Sequence, residues 1–171
     1  MRPALCVFAL AAVLLAACSK QPSSTSASAR NAPATAAAAP AGSACDRKLL
    51  AAEDVVGILG AAPTVTKNIP GDPQSCKFET SGFPSLTVSV RPGHGVAAVG
   101  MYTSGKMTEF EASKPLSGVG TEAVRSLSLN RVIARKDDLL CEITGPGLAD
   151  ANDESKARQL GALCNKIFAA Y

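Results

Sequence analysis

From Ser19 to Ser43 the chain carries no aliphatic side chain larger than that of alanine, and 20 of these 25 residues are Ala, Ser, Thr or Pro. Such a stretch cannot bury enough apolar surface to offset the entropy of ordering it. Ala36–Ala39 has helix propensity, but it is bounded by Pro33 and Pro40, and an isolated helix needs about 12–15 residues. The expectation is a disordered tether, whose end-to-end distance as a flexible chain is about 25–30 Å. Core formation is thereby confined to residues 44–171, a length that supports one modest domain and no second one.

What precedes the tether has a different character. Met1-Arg2-Pro3 opens with a positive charge, and Ala4 to Ala17 follows as an unbroken apolar run of fourteen residues. That is the profile of a signal peptide, residues 1–17. A spanning helix requires about 20 apolar residues, so this run is too short for a permanent transmembrane anchor. It closes on Leu15-Ala16-Ala17-Cys18, an aliphatic residue, two small residues and a cysteine, which resembles the lipobox of bacterial lipoproteins at all four positions. The resemblance implies cleavage before Cys18, diacylglycerol with palmitate-type chains on its sulfur, and often a third chain on the new amino terminus. At about 0.8 kcal/mol per buried methylene, several such chains hold a protein stably on a membrane. Ser19 is not the Asp that retains enteric lipoproteins at the inner membrane, so the resemblance implies the outer membrane, facing the periplasm. An ordinary secretory signal with an incidental cysteine is the plainer alternative.

The formal charge of +3 comes entirely from Arg2, Lys20 and Arg30, which leaves 14 basic and 14 acidic residues in the domain. The basic footprint of nucleic-acid binding is missing. After residue 43 the only rings are Phe78, Phe83, Tyr102, Phe110, Phe168 and Tyr171, with no tryptophan anywhere, which argues against base-stacking platforms.

Within the domain, Asp46 to Gly60 places Leu50, Val55, Ile58 and Leu59 near one side of a helix that stops at Gly60. Thr64–Asn68 is a short strand candidate. Gly71-Asp72-Pro73 turns the chain into Cys76–Glu79, a second strand. Leu86, Val88 and Val90 alternate with polar residues, the pattern of a half-buried strand. Residues 95–112 carry a weak helical pattern against the cost of Gly95, Gly100 and Gly105. Leu127–Lys136 and Leu139–Thr144 flank Asp137-Asp138 as an antiparallel hairpin. Asp153–Tyr171, with Ala157, Leu160, Cys164, Ile167, Phe168 and Tyr171 at helical spacing, is the clearest helix. The expected fold is α+β: an antiparallel sheet of about four to five strands, covered on one face and flanked by an N-terminal and a C-terminal helix.

Once Cys6 has left with the signal and Cys18 has taken lipid, the domain holds Cys45, Cys76, Cys141 and Cys164, an even count that outside the cytoplasm points to disulfides. Four cysteines admit three connectivities, which the sequence leaves open. Cys141 shares a strand face with Leu139 and Ile143, and Cys164 lies on the apolar face of the last helix, so helix-on-sheet packing favours Cys141 with Cys164 and Cys45 with Cys76. A four-thiolate zinc site or a redox site is disfavoured because no Cys-x-x-Cys pair exists.

Residues suited to chemistry are few. His94, the only histidine, sits between Gly93 and Gly95, where nothing local fixes its tautomer. Gly118-Val119-Gly120 lacks the third glycine and the preceding strand of a dinucleotide fingerprint. Asp137/Asp138 and Asp153/Glu154 are explained as turn-forming and dipole-complementing carboxylates. Arg131, Arg135 and Lys136 read as one solvated sheet edge rather than an anion site. No catalytic residue, metal site or cofactor is therefore expected.

Beyond the lipobox, Cys45-Asp46-Arg47-Lys48-Leu49-Leu50, Leu59-Gly60, Cys76, Gly118 to Ala123 and the hairpin and helix of 127–171 resemble the layout of small bacterial lipoproteins that carry a secreted domain of unknown function. Ala51 stands where that family usually has a Thr cap, and Asp137-Asp138 where it often has Gly-Asp. The resemblance implies a fold and no catalytic residues. The leading expectation is a non-enzymatic module that binds an envelope protein or a small ligand. The alternatives are an inhibitor of a lysozyme-type hydrolase, acting through the Gly93–Gly95 or Gly118–Gly120 loop, and an enzyme whose site is assembled only by folding.

Overall fold

Strict alternation in residues 85–90 and helical spacing in 155–170 set the two layers of this molecule, and a computed structural model shows how they join. It describes residues 44–104, 113–148 and 154–171. The signal segment, the lipobox with Cys18, the tether, the later part of the 95–112 pattern and Asp153 lie outside the described residues.

The element order is α1 (Ala52–Leu59), β1 (Val65–Ile69), β2 (Asp72–Glu79), β3 (Ser85–Pro92), α2 (Gly95–Thr103), β4 (Ser113–Pro115), β5 (Glu122–Ser126), β6 (Arg131–Lys136), β7 (Leu139–Thr144) and α3 (Ser155–Ala170). The strands form one sheet in the order β1-β2-β3-β7-β6-β5-β4, every neighbour antiparallel. The class is α+β, as expected, but the sheet has seven strands, not four or five. β4 has three residues, too few for a periodic signal, and β5 reads Glu-Ala-Val-Arg-Ser, whose charged residues mask its burial.

The chain reverses after β3 through α2 and returns by β4 to β7, so the last strand fills the place beside β3. On one face, Cys76, Phe78, Leu86, Val88, Val90, Cys141, Ile143, Val132 and Ala134 pack beneath α1 and α3. The other face is covered as well, over half its width: Val124, Ile133 and Leu140 pack against Val99 and Tyr102 of α2. The expectation of a sheet covered on one face is thus corrected. The consecutive burial of Val132, Ile133 and Ala134 is what a strand covered on both sides requires. β6 also lies inside the sheet, so the basic residues at its two ends do not form a sheet edge.

The first helix is shorter than its pattern. Lys48 adopts a left-handed backbone (φ 49°), which ends the opening turn in which its amide donates to the Cys45 carbonyl, 3.0 Å. Regular helix begins only at Ala52. Asp54 caps it, accepting from the Ala51 amide at 2.8 Å, and Gly60 stops it in the left-handed region (φ 77°). Lys166 of α3 binds the same Asp54 carboxylate at 2.6 Å, tying the two helices together.

Two disulfides join these layers: Cys45 to Cys76 and Cys141 to Cys164. The first fastens the N-terminal turn to β2. The second fastens α3 to β7.

Candidate functional site

Two of the concavities in this domain gather side chains that bear on function. The first is an apolar cleft of about 320 Å³ between the N-terminal turn, the start of α1 and strands β1 to β3. Its floor is buried Ala44, Leu50, Cys76, Phe78 and Val88, and half-buried Cys45, Leu49 and Ala51 form its walls. Exposed Lys48, Ala52 and Thr66 stand at the rim. Regular helix begins only at Ala52, and the small side chains of Ala51 and Ala52 line the cleft without filling it.

Three contacts hold that wall in place. The disulfide anchors Cys45, the Ala44 amide donates to the Pro73 carbonyl at 3.0 Å, and the Arg47 guanidinium stacks 5.0 Å over the Tyr171 ring. Burial lowers the Arg47 pKa from its ordinary value, which leaves it a guanidinium at any physiological pH.

The second concavity, about 310 Å³, lies on the half of the opposite face that α2 leaves open. There Arg91 donates to Asp72 at 2.8 Å and lies 3.6 Å from Glu142, which Arg131 approaches at 3.4 Å. The Ser75 hydroxyl donates to Asp72 at 2.6 Å and shares a short hydrogen bond with Ser89. Burial pushes the Asp72 carboxyl up, but hydrogen bonds from Ser75 and Arg91, the Arg91 charge and the Gln74 amide outweigh it and hold the carboxyl below its ordinary value. Such a group is a weaker base than free aspartate, and Ser75 is 1% exposed. The two carboxylates and two guanidiniums pair with one another in a connected network, while the buried Nε of Arg131 has no hydrogen-bond partner among the described residues.

The residues singled out in the sequence fall as follows. His94 occupies the cap position of α2, with no hydrogen bond from its side chain to that helix end. The capping is done by Asp138, whose carboxylate accepts from the Val96 amide (3.0 Å) and whose carbonyl accepts from Gly93 and Gly95 (2.9 and 3.1 Å). The Gly93–Gly95 loop is thereby fastened to the β6–β7 turn, with Gly93 and His94 exposed and Gly95 buried. Gly118–Gly120 is fastened likewise: the Asn165 amide group donates to the Gly118 carbonyl and accepts from the Gly120 amide, both at 2.9 Å. Gly120 has φ 55°, and a Cβ there would collide with the Arg135 carbonyl and the Phe168 ring. Asp137 takes the left-handed place in the hairpin turn (φ 54°). Glu154 precedes α3 and pairs with Arg158 at 3.1 Å.

Arg131, Arg135 and Lys136 do not act together. Arg131 meets Glu142, Arg135 donates to Glu122 at 3.0 Å, and Lys136 donates to the Phe168 carbonyl at the end of α3, 3.2 Å. Among the described residues no group of three or more His, Cys, Asp and Glu side chains is placed to hold a metal ion. No described helix is long and apolar enough to cross a membrane.

Sequence reasoning missed both concavities and one buried charge. Arg125 is 1% exposed and shares a register row with Val132, Ile143, Val88 and Cys76 on the face beneath α1 and α3. In comparisons with known proteins, no family model, no curated protein and no solved structure matches this chain.

Proposed function

We propose that this chain is a non-enzymatic binding module of the bacterial cell envelope, lipid-anchored through Cys18, that takes its ligand in the apolar cleft between the N-terminal turn and β1–β3. One observation carries the reading. The cleft is concave, preformed and lined almost wholly by apolar side chains, the ordinary character of a small-molecule site, and no pair of acidic and basic groups converges in it. Its wall is held by a disulfide and a cation–π contact, so the cavity does not have to be built when a ligand arrives. The lipobox supports the anchor, and the 25-residue tether supports a working range of about 25–30 Å from the membrane surface.

The anchor is tested by intact-mass measurement and cell fractionation of the natively produced chain beside Cys18→Ala. Acylated, membrane-bound protein that becomes soluble on substitution is expected; an unmodified Cys18 thiol overturns the anchor. The cleft is tested by Ala52→Phe, which places a ring at an exposed rim position. Equal ligand capture by both forms overturns the site.

A second reading, a hydrolase inhibitor, has one observation in its favour. The Thr80–Pro84 connection presents a fully exposed aromatic side chain, Phe83. Thr80 holds that loop by donating to the Gly82 and Pro84 carbonyls. A lysozyme assay with wild type and Phe83→Ala tests it. Unchanged turnover at micromolar protein removes the reading.

A further inference from the structure

We infer that the cleft accepts a single acyl chain bearing an anionic head group, a fatty-acid-type amphiphile, with Lys48 meeting the head and Leu50, Phe78 and Val88 receiving the chain. The inference rests on the binding-module reading and deepens it by naming the ligand class. The interior offers hydrocarbon: buried Leu50, Phe78 and Val88 below, half-buried Leu49 at the side. Its volume of about 320 Å³ lies at the small end of ligand cavities, about 300–1,000 Å³. That leaves room for part of one chain and not for two. A ligand of this shape must carry its polar end outward.

What stands at the rim decides the sign of that end. Lys48 is the one charged residue among those lining the cleft, it is exposed, and it forms no ion pair among the described residues. The other polar side chain at the rim, Thr66, is neutral and can donate to an oxygen. Lys48 is also held where it is. Its backbone occupies the left-handed region, sparsely populated for a residue with a side chain and kept only where the surroundings fix it. Cys45 in its disulfide fixes one side of the turn, and Leu50 packed in the core fixes the other. The backbone that carries the ammonium is thereby held at the mouth, and the flexible stem lets the charge meet a head group there.

The test is photo-cross-linking of the full chain, as the cell produces it, with diazirine-bearing dodecanoic acid and, separately, the matching dodecanol. Mass spectrometry of the peptides then locates the adducts. Acid adducts are expected on residues 44–52 and 76–88, and Ala52→Phe should reduce them at least tenfold. Lys48→Gly suits the left-handed backbone while deleting the cation, and Lys48→Asn provides a second neutral variant; both should lower the acid yield about two- to fivefold, the range of an exposed ion pair, and leave the alcohol yield unchanged. Cleft adducts from acid and alcohol in equal yield, indifferent to Lys48, overturn the anionic amphiphile while the binding-module reading stands. Absence of cleft adducts from both probes, or adducts indifferent to Ala52→Phe, overturns both.

Discussion

Gly161 sits in the middle of α3, where alanine would ordinarily be worth about 1 kcal/mol to the helix. Here the opposite outcome is expected. A Cβ at Gly161 would lie 2.5 Å from Cγ2 of Val119 and 3.4 Å from Cδ2 of Leu116, and Val119 is buried in the core. A β-branched side chain in a packed loop has no free rotamer to yield with, and overpacking of this kind costs about 1–3 kcal/mol. Subtracting the propensity gain leaves Gly161→Ala destabilised by about 0–2 kcal/mol, with a midpoint near 1. In urea unfolding of the disulfide-intact chain, followed by circular dichroism, this appears as a lower midpoint with unchanged slope.

The decisive comparison is made in a second background. Val119→Ala alone should cost about 2 kcal/mol as a core truncation, but it also removes the obstructing methyl groups. In that background Gly161→Ala should become neutral or stabilising by up to about 1 kcal/mol, giving a coupling of about 1–3 kcal/mol between the two positions. Stabilisation of the wild-type chain by Gly161→Ala, or additive effects, would refute the claim that the missing Cβ is what lets the 118–120 loop seat on α3.

Three further outcomes follow from the same structure. Replacing Cys141 and Cys164 together with alanine should cost about 3–4 kcal/mol, the chain-entropy value for a separation of 23 residues, and Cys45 with Cys76 a similar amount for 31 residues; matched urea titrations check both. Asp138→Ala removes the carboxylate that caps α2 and should cost about 1 kcal/mol, with faster amide exchange confined to Gly95–Thr103. Asp54 is held below the ordinary range by the Lys166 hydrogen bond, only partly opposed by burial, and Asp72 is also lowered. The unfolded chain then binds more protons than the folded one, so this stability is fully present above the unfolded carboxyl value of about 3.9 and is lost as pH falls through the lower folded values. Asp54→Asn should flatten that acid limb of the stability curve; an unchanged limb would remove the pair as its cause.

The parts of the fold legible in the sequence are those in which one residue pattern meets one environment. β3 alternates because only one of its faces meets a helix, and α3 shows its stripe because its outer side meets solvent. The hairpin of β6 and β7 is legible from Asp137-Asp138 between two apolar runs, whereas the consecutive Val132, Ile133 and Ala134 of β6 are the trace of α2 on the second face. β5 carries Arg125 into the interior, a placement that charge alone argues against. The disulfide partners could be ranked because helix-on-sheet packing brings Cys164 over Cys141. The cleft could not be foreseen, since it lies between a turn and strands that are distant in sequence, and the turn carries a left-handed Lys48 that no composition reveals.

The linkage between Cys45 and Cys76 also decides how the domain bears tension. A pull on its amino end passes through the sulfur bridge one residue after Ala44 and reaches β2, a strand with a neighbour on each side. Force is thereby delivered covalently into the sheet, and the turn and α1, which line the cleft, are bypassed by the load.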